Sequence, residues 1–387
     1  MDAILGECSL ERLRRRRTYK WRTYPGDVLP AFVAEMDFDV AEPVLDAVRD
    51  ALDNGDLGYP DKGDLGDAFA AFAAARLDWA VDPDLVFAIP DVMTGITETL
   101  LGLTAPGDGV LINPPVYPPF FFRISLLGRQ VVEAPLAVDG AGRYDLDLDL
   151  IDSVLAAGHV RAYLLCSPHN PVGRVWSRDQ LTAIADICAR HGTALIVDEI
   201  HAPLILPGAR HVPFLALDHP VTERVITFSS ASKGWNIPGL KCGVAIAGSP
   251  AAATVLSARW DALLAAEPGV LASVAAFTRG HAWLDAMLAQ IDRNRDRLGA
   301  LLAEHLPGVG YVPPEASFLA WLDCRRLGLG DDPAAAFLEQ GRVALSPGPD
   351  FGAAGHGYAR LNMGTSPELL AEAVRRMAAA RPAPAGR

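Results

Sequence analysis

Seven short β-rich runs constrain the fold of this chain more than any other feature: Leu85 to Ile89, Val110 to Ile112, Gln130 to Glu133, Arg161 to Cys166, Ala194 to Asp198, Val225 to Ser229 and Gly243 to Ala247. They alternate with segments of helical periodicity, which is the pattern of an α/β domain. Several runs are apolar throughout rather than alternating, as strands covered by helices on both faces must be, so the sheet is predicted to be mostly parallel. Between two of them, Ser177 and Gln180 form a capping-box pattern ahead of Leu181, Ile184, Ala185 and Cys188, with Gly192 as a stop. After residue 250 the rhythm turns helical, through Leu284, Met287, Leu288 and Ile291, and a strand is expected at Phe318 to Asp323. Ser366 and Pro367 open a closing amphipathic helix, and the Pro/Ala/Gly-rich end from Arg381 is expected to fray.

At 387 residues and 50% hydrophobic content the chain can build two packed domains. A net charge of -13 argues against a nucleic-acid partner, since affinity for phosphate backbones needs a surplus of Lys and Arg. Arg12, Arg14, Arg15, Arg16 and Arg17 are the local exception, read as a solvated or interface-facing segment. The five cysteines, Cys8, Cys166, Cys188, Cys242 and Cys324, are scattered and show no metal-ligand spacing, which suits a reducing cytoplasm. No apolar run is long enough to span a bilayer and no apolar leader opens the chain, so neither a membrane nor secretion is expected.

The chemistry concentrates at predicted strand ends, where open α/β sheets bind ligands. Ser229-Ser230-Ala231-Ser232-Lys233-Gly234-Trp235-Asn236 follows one strand and presents a lysine with two hydroxyls. Alone, Lys233 would be an ordinary surface lysine. Asp198 ends an earlier apolar run and could pair with a pyridinium nitrogen, or simply cap a turn. Ser167-Pro168-His169-Asn170-Pro171-Val172-Gly173 reads as a rigid turn that presents Asn170, either as an amide donor or as a turn residue only. Val92, Met93 and Thr94 open a helical run, so their amides can form an anion site. The three strand-end groups taken together are harder to dismiss than any one of them.

With these pieces in place the sequence resembles the fold-type-I pyridoxal-phosphate enzymes of the class I/II aminotransferase superfamily, and within them the cystathionine β-lyase-like MalY/PatB branch of carbon-sulfur lyases. The matching segments are Lys20-Trp21, Ala34-Glu35-Met36-Asp37-Phe38, Gly58-Tyr59, Pro115-Val116-Tyr117-Pro118-Pro119-Phe120, Ser167 to Gly173, Asp198-Glu199-Ile200-His201, Ser230 to Lys233 and Arg360-Leu361-Asn362. The resemblance implies a large cofactor-binding domain at 51–275 with a seven-stranded sheet. It implies also a small α+β domain at 276–387, joined by the N-terminal segment 1–50. By the same resemblance Lys233 holds pyridoxal 5'-phosphate as a Schiff base and moves the substrate α-proton. Asp198 pairs with the ring nitrogen, Asn170 with the phenolic oxygen, and Tyr117 stacks on the ring. His201 adjoins the cofactor, and Val92, Met93, Thr94, Ser230, Ser232 and Lys241 receive the phosphate. Arg360 grips the α-carboxylate of an amino-acid substrate, and Tyr59 reaches across a homodimer with shared active sites.

The activity implied is β-elimination from cystathionine or another cysteine S-conjugate. Transamination, decarboxylative deamination in a specialised sulfur-containing pathway, and a regulatory protein partner stand as alternatives. Two departures from the family pattern, Gly234-Trp235 after the lysine and Pro203 in place of an acidic residue, are expected to bear on the substrate side-chain pocket.

Overall fold

The computed structural model describes residues 3–260 and 263–380; the expected frayed end lies outside the described residues. All seven β-rich runs are strands of one sheet: β1 Val86–Ile89, β2 Gly109–Ile112, β3 Gln130–Glu133, β4 Val160–Cys166, β5 Ala194–Asp198, β6 Ile226–Ser229 and β7 Gly243–Ala247. Their order is β1-β7-β6-β5-β4-β2-β3. Only β7 runs against its neighbours β1 and β6, so the other six share one direction. Every residue of β2, β6 and β7 is buried, because helices cover both faces, whereas β3 at the sheet edge is partly exposed.

Local chemistry fixes the helices that matter for the site. α1 spans Glu42–Asn54, and α2, at Val92–Leu103, starts on Asp91, whose side chain accepts the Thr94 N–H at 2.8 Å. α3, at Arg178–His191, has the full capping box between Ser177 and Gln180 and stops at Gly192, which takes φ +65°. A single helical turn, α4 (Ala231–Gly234), is capped by Ser230 and carries Lys233. α5 (Glu267–Arg279) packs on α1, and α6 (His281–His305) lies against α7 (Pro367–Met377), which begins at the Ser366 cap.

A second sheet contains β8 Gly310–Tyr311, β9 Leu319–Asp323, β10 Ser346–Pro347 and β11 Tyr358–Asn362, in the antiparallel order β8-β9-β11-β10. Leu29 and Pro30 pair in parallel with Val343 and Ala344. The N-terminal segment is thereby tied beside the second sheet before it passes Lys233. Arg12 and Arg16 both reach Asp39, so these two arginines of the basic cluster serve the packing of that segment.

Candidate active site

Strand register brings the predicted groups together. Cys166, Asp198 and Phe228 lie opposite one another at the carboxyl ends of β4, β5 and β6. The residues that follow these strand ends therefore emerge side by side: Ser167 to Asn170, Glu199 to His201, and Ser229 to Lys233. Tyr117 comes from the loop after β2, and Arg360 from β11 of the second sheet.

Asp198 is buried, and its Oδ1 accepts the Ile200 amide at 3.0 Å. Burial raises its carboxyl to about 7; the Ile200 bond opposes this, Glu199 adds to it, and Lys233 opposes it. A carboxylate in that state lacks a cation. Lys233 donates to the Ala34 carbonyl at 2.8 Å, and burial followed by the Arg360 charge lowers its ammonium to about 8, against Glu35 and Asp198. A lysine so placed is readily neutral and nucleophilic. His201 is pushed down to about 3 by burial, then by Lys233 and Arg360, and its buried Nδ1 has no hydrogen-bond partner.

Arg360 is buried and held by four groups. Nη1 donates to Asn170 Oδ1 at 3.1 Å, and Nη2 donates to the Phe32 carbonyl at 3.1 Å and to Ser346 Oγ at 3.0 Å. The Phe351 ring lies 4.9 Å from the guanidinium carbon. Ser346 in turn donates to the Phe32 carbonyl at 2.6 Å. Three of the five guanidinium N–H groups are therefore engaged, and Nε is buried without a partner. Because Arg360 occupies Asn170 Oδ1, the amide group of Asn170 has only its Nδ2 donors left to offer. Tyr117 is half-buried and meets Phe120 edge to face at 5.8 Å.

The anion end is built differently from the sequence expectation. Val92, Met93 and Thr94 do open α2, but the Thr94 amide is already taken by Asp91. Lys241 is exposed and forms an ion pair with Asp91. Burial raises the Asp91 carboxyl, yet Lys241 and the Thr94 amide outweigh it and hold the carboxyl below its usual value. Ser230 donates to the Cys242 carbonyl at 2.7 Å and accepts the Ser232 amide at 3.0 Å, so its hydroxyl proton is committed to shaping the lysine turn. The Val92 and Met93 amides and the Ser232 hydroxyl are the donors that stay available at this end.

A flat pyridinium with an anionic arm fits this set. Asp198 wants a cationic N–H, Asn170 has a spare donor, Lys233 is a reactive amine, and α2 points an N-terminus at the same region. Tyr59, by contrast, is 91% exposed and meets none of these residues within the chain.

The two departures are one packing event. Trp235 is fully buried, donates to the Gly280 carbonyl at 2.9 Å and packs edge to face on Phe72 and Phe277, so it supports the core. A Cβ on Gly234 would sit 3.2 Å from Pro203 Cβ. Gly234→Thr is expected to cost about 1–3 kcal/mol of stability by overpacking against Pro203 Cβ, and Pro203→Gly, which lacks that atom, should offset part of the cost. Urea denaturation of the single and double variants checks this; strictly additive changes would mean that the two positions do not share the space.

Residues 33–377 match the family described as aminotransferase class I and II. The chain belongs to that family. A provisionally named cystathionine beta-lyase of Mycobacterium tuberculosis is 46% identical over 96% of this chain and 97% of its own. Cystathionine beta-lyase PatB of Bacillus subtilis is 35% identical, with 92% of each chain covered. Cystalysin from Treponema denticola, whose crystal structure contains pyridoxal 5'-phosphate, superposes with a TM-score of 0.90 at 27% identity and covers 94% of this chain and 96% of its own. The architecture is thus that of the type I pyridoxal-phosphate-dependent transferases.

Several working contacts had no signal in the motifs. The Phe32 carbonyl, Ser346, Phe351 and Asp91 reach the site through tertiary packing. Asn236 could have been noticed: it stands at φ +58°, a region Asn tolerates, and its amide pairs with both N–H and C=O of Met36. Lys20 and Asp37, 2.8 Å apart and buried, anchor the same strap, as does Asn362 through the Val33 and Glu35 carbonyls.

Proposed function

We propose that this chain is a pyridoxal-phosphate-dependent carbon-sulfur β-lyase that cleaves cystathionine or a related cysteine S-conjugate to a thiol, pyruvate and ammonia. The observation that carries the proposal is the union of Lys233, Asp198 and Asn170 at adjacent strand ends with Arg360 from the second sheet, in a chain whose named relatives are cystathionine beta-lyases. Asp198 would hold the ring nitrogen, Asn170 the phenolic oxygen, Tyr117 the ring face and Lys233 the aldehyde carbon. The Val92 and Met93 amides and the Ser232 hydroxyl would hold the phosphate, and Lys241, paired with Asp91 in the chain alone, would join them by exchanging that partner. When bound, the cofactor supplies an electron sink for the substrate α-carbon.

The protein's own residues do the rest. Arg360 binds the α-carboxylate and so orients the Cα–H bond, and Lys233 Nζ, lowered toward neutrality by burial, takes that proton. The Cα–H electron pair becomes a Cα=Cβ bond as the Cβ–S bond breaks with its pair leaving on sulfur; the thiolate takes up a proton, and water hydrolyses the released aminoacrylate to pyruvate and ammonia. A cavity of about 1110 Å³ runs from Lys233 and Asn236 past Glu35 toward Arg12 and Arg49, on the side of Lys233 away from Arg360, Asp198 and Asn170, none of which lines it.

Incubation of purified protein with cystathionine or S-alkyl cysteines should release thiol, pyruvate and ammonia in equal amounts, and with cystine a persulfide in place of the thiol. Stoichiometric pyridoxamine phosphate, or carbon dioxide without thiol, would instead assign the chain to transamination or decarboxylative deamination. The five cysteines are free and buried, which suits a cytoplasmic setting.

We propose also a homodimer in which Tyr59 enters the neighbouring site, since this tyrosine and Leu57 beside it are exposed on the single chain. Tyr59→Phe and Lys233→Ala subunits, each nearly inactive alone, are expected to regain activity when refolded together, because hybrid dimers contain one site with both native residues. A fully active monomer at assay concentration removes the idea.

A further inference from the structure

Asn170 and Arg360 touch at 3.1 Å, yet one stands in the turn after β4 and the other on β11 of the second sheet, so their contact depends on how the two sheets are fixed against each other. Between them runs the segment 313–317, which leads through Phe318 into β9, where Trp321 stands opposite Arg360. Its backbone is sewn to two loops behind the site. The Glu315 and Ala316 amides donate to the Gly173 carbonyl at 2.8 and 3.1 Å, the Glu315 carbonyl accepts the Leu206 amide at 3.0 Å, and the Ser317 amide donates to the Leu204 carbonyl at 2.8 Å. Gly173, at φ +68°, permits so close an approach, because a Cβ there would lie 2.3 Å from Pro314 Cβ. Ser317 is held at φ +76°, which a residue with a side chain adopts only where its surroundings overdetermine it.

The Glu315 side chain closes the same seam. Oε1 and Oε2 each accept Arg174 Nη1 at 2.5 Å, Oε2 also accepts the Val175 amide at 2.8 Å, and Arg143 donates to Oε1 at 3.1 Å. Arg174 is buried, and its Nε donates to the Tyr144 carbonyl at 2.8 Å; Asp145, 3.9 Å from Nη2, is a more distant second carboxylate. Arg174 is also the residue that closes the Asn170 turn. Its carbonyl accepts the His169 amide at 2.8 Å, and the Gly173 amide donates to the His169 carbonyl at 2.7 Å. The attraction within a desolvated ion pair roughly offsets the cost of desolvating it, so the fold gains little net stability from this one; what the pair does fix is the place of the turn.

We infer that Glu315 is a positioning residue: gripping Arg174, Val175 and Gly173 from the segment that leads to the sheet of Arg360, it sets the register between the Asn170 turn and Arg360 and so aims the Asn170 amide. The task of that amide toward the cofactor's phenolic oxygen belongs to the function proposed above, and the role of Glu315 rests on it.

Glu315→Gln keeps the volume of the side chain, but whichever way the amide is turned its NH2 group meets an N–H donor of Arg174, Arg143 or Val175, so the grip is lost on one side. The measurement is the dissociation constant of pyridoxal phosphate from the apoprotein, by absorbance titration well below the thermal transition of each variant, in a double-mutant cycle with Asn170→Ala. Glu315→Gln should weaken binding by roughly 10-fold when Asn170 is present, and by less than about 2-fold when Asn170 is alanine, because a misaimed amide and a missing one are then equivalent. Should Glu315→Gln not fold, Arg174→Lys takes its place: it keeps the charge but cannot span Glu315 and the Tyr144 carbonyl together, and it should show the same dependence on Asn170.

Equal weakening in the two backgrounds would make Glu315 a support for the fold alone and overturns the inference. So does a binding constant unchanged from wild type in Glu315→Gln or, in its place, Arg174→Lys. Wild-type apoprotein that takes up no pyridoxal phosphate overturns the cofactor reading itself, a failure visible before any variant is measured.

Discussion

Replacement of Lys233 by alanine is expected to abolish the visible absorption of the purified protein and to lower kcat by roughly four orders of magnitude. Two functions are lost at once. In the function proposed here the amine would be the covalent anchor for the cofactor aldehyde and also the base that reaches substrate Cα. Burial and the nearby Arg360 charge lower its ammonium to about 8, so a usable fraction is neutral near pH 7 to 8. No other lysine is placed to substitute: Lys241 is exposed and paired with Asp91, and Lys20 is locked to Asp37 and the Glu35 carbonyl. Borohydride treatment of the wild type followed by peptide mapping should find the reduced cofactor on Lys233. Recovery of the same adduct elsewhere in Lys233→Ala would move the attachment point and with it the whole site.

The seven strands were legible because burial on both faces leaves a mark that survives in one dimension: runs such as Ala194 to Val197 and Gly243 to Ala247 are apolar without alternation. The helix from Arg178 was equally plain, since a capping box and a terminal glycine are local chemistry. Strand-end position is also local, and this is why Asp198, Asn170 and Lys233 could be proposed together before any geometry was known.

What escaped the sequence lies in the third dimension. Phe32 and Ala34 contribute carbonyl oxygens, which no side-chain pattern advertises, and they do so because the strand pairing of Leu29 with Val343 steers the N-terminal strap between Arg360 and Lys233. Gly234 and Pro203 are 31 positions apart, so their shared space was invisible and the two departures looked like separate hints about the substrate pocket. At the expected phosphate end, too, tertiary contacts add what the sequence did not show: the cap residue Asp91 accepts the Thr94 amide and pairs with Lys241.

Arg360→Ala is expected to lower kcat/KM for amino-acid substrates by about 2–4 kcal/mol, which is some 30- to 1000-fold, through loss of a charged and oriented contact. In the proposed contact, with Asn170, Phe32 and Ser346 engaging three N–H groups, the Nε donor and one Nη1 donor would serve the carboxylate, and Phe351 lies against the guanidinium from one side. Lysine in its place would restore charge but not the fork, and it could not satisfy Asn170, Phe32 and Ser346 at the same time, so rescue should be partial. A substrate analogue with its carboxylate converted to an amide should lose little further activity in Arg360→Ala, because the interaction removed is the one that analogue never had. Cofactor absorption serves as the control, since Asn170 loses its arginine partner in the variant and its amide must stay oriented for the comparison to be fair. Unchanged kinetics with an intact cofactor spectrum would hand the carboxylate to another residue, and an equal loss for the acid and the amide would make Arg360 a structural support rather than a substrate ligand.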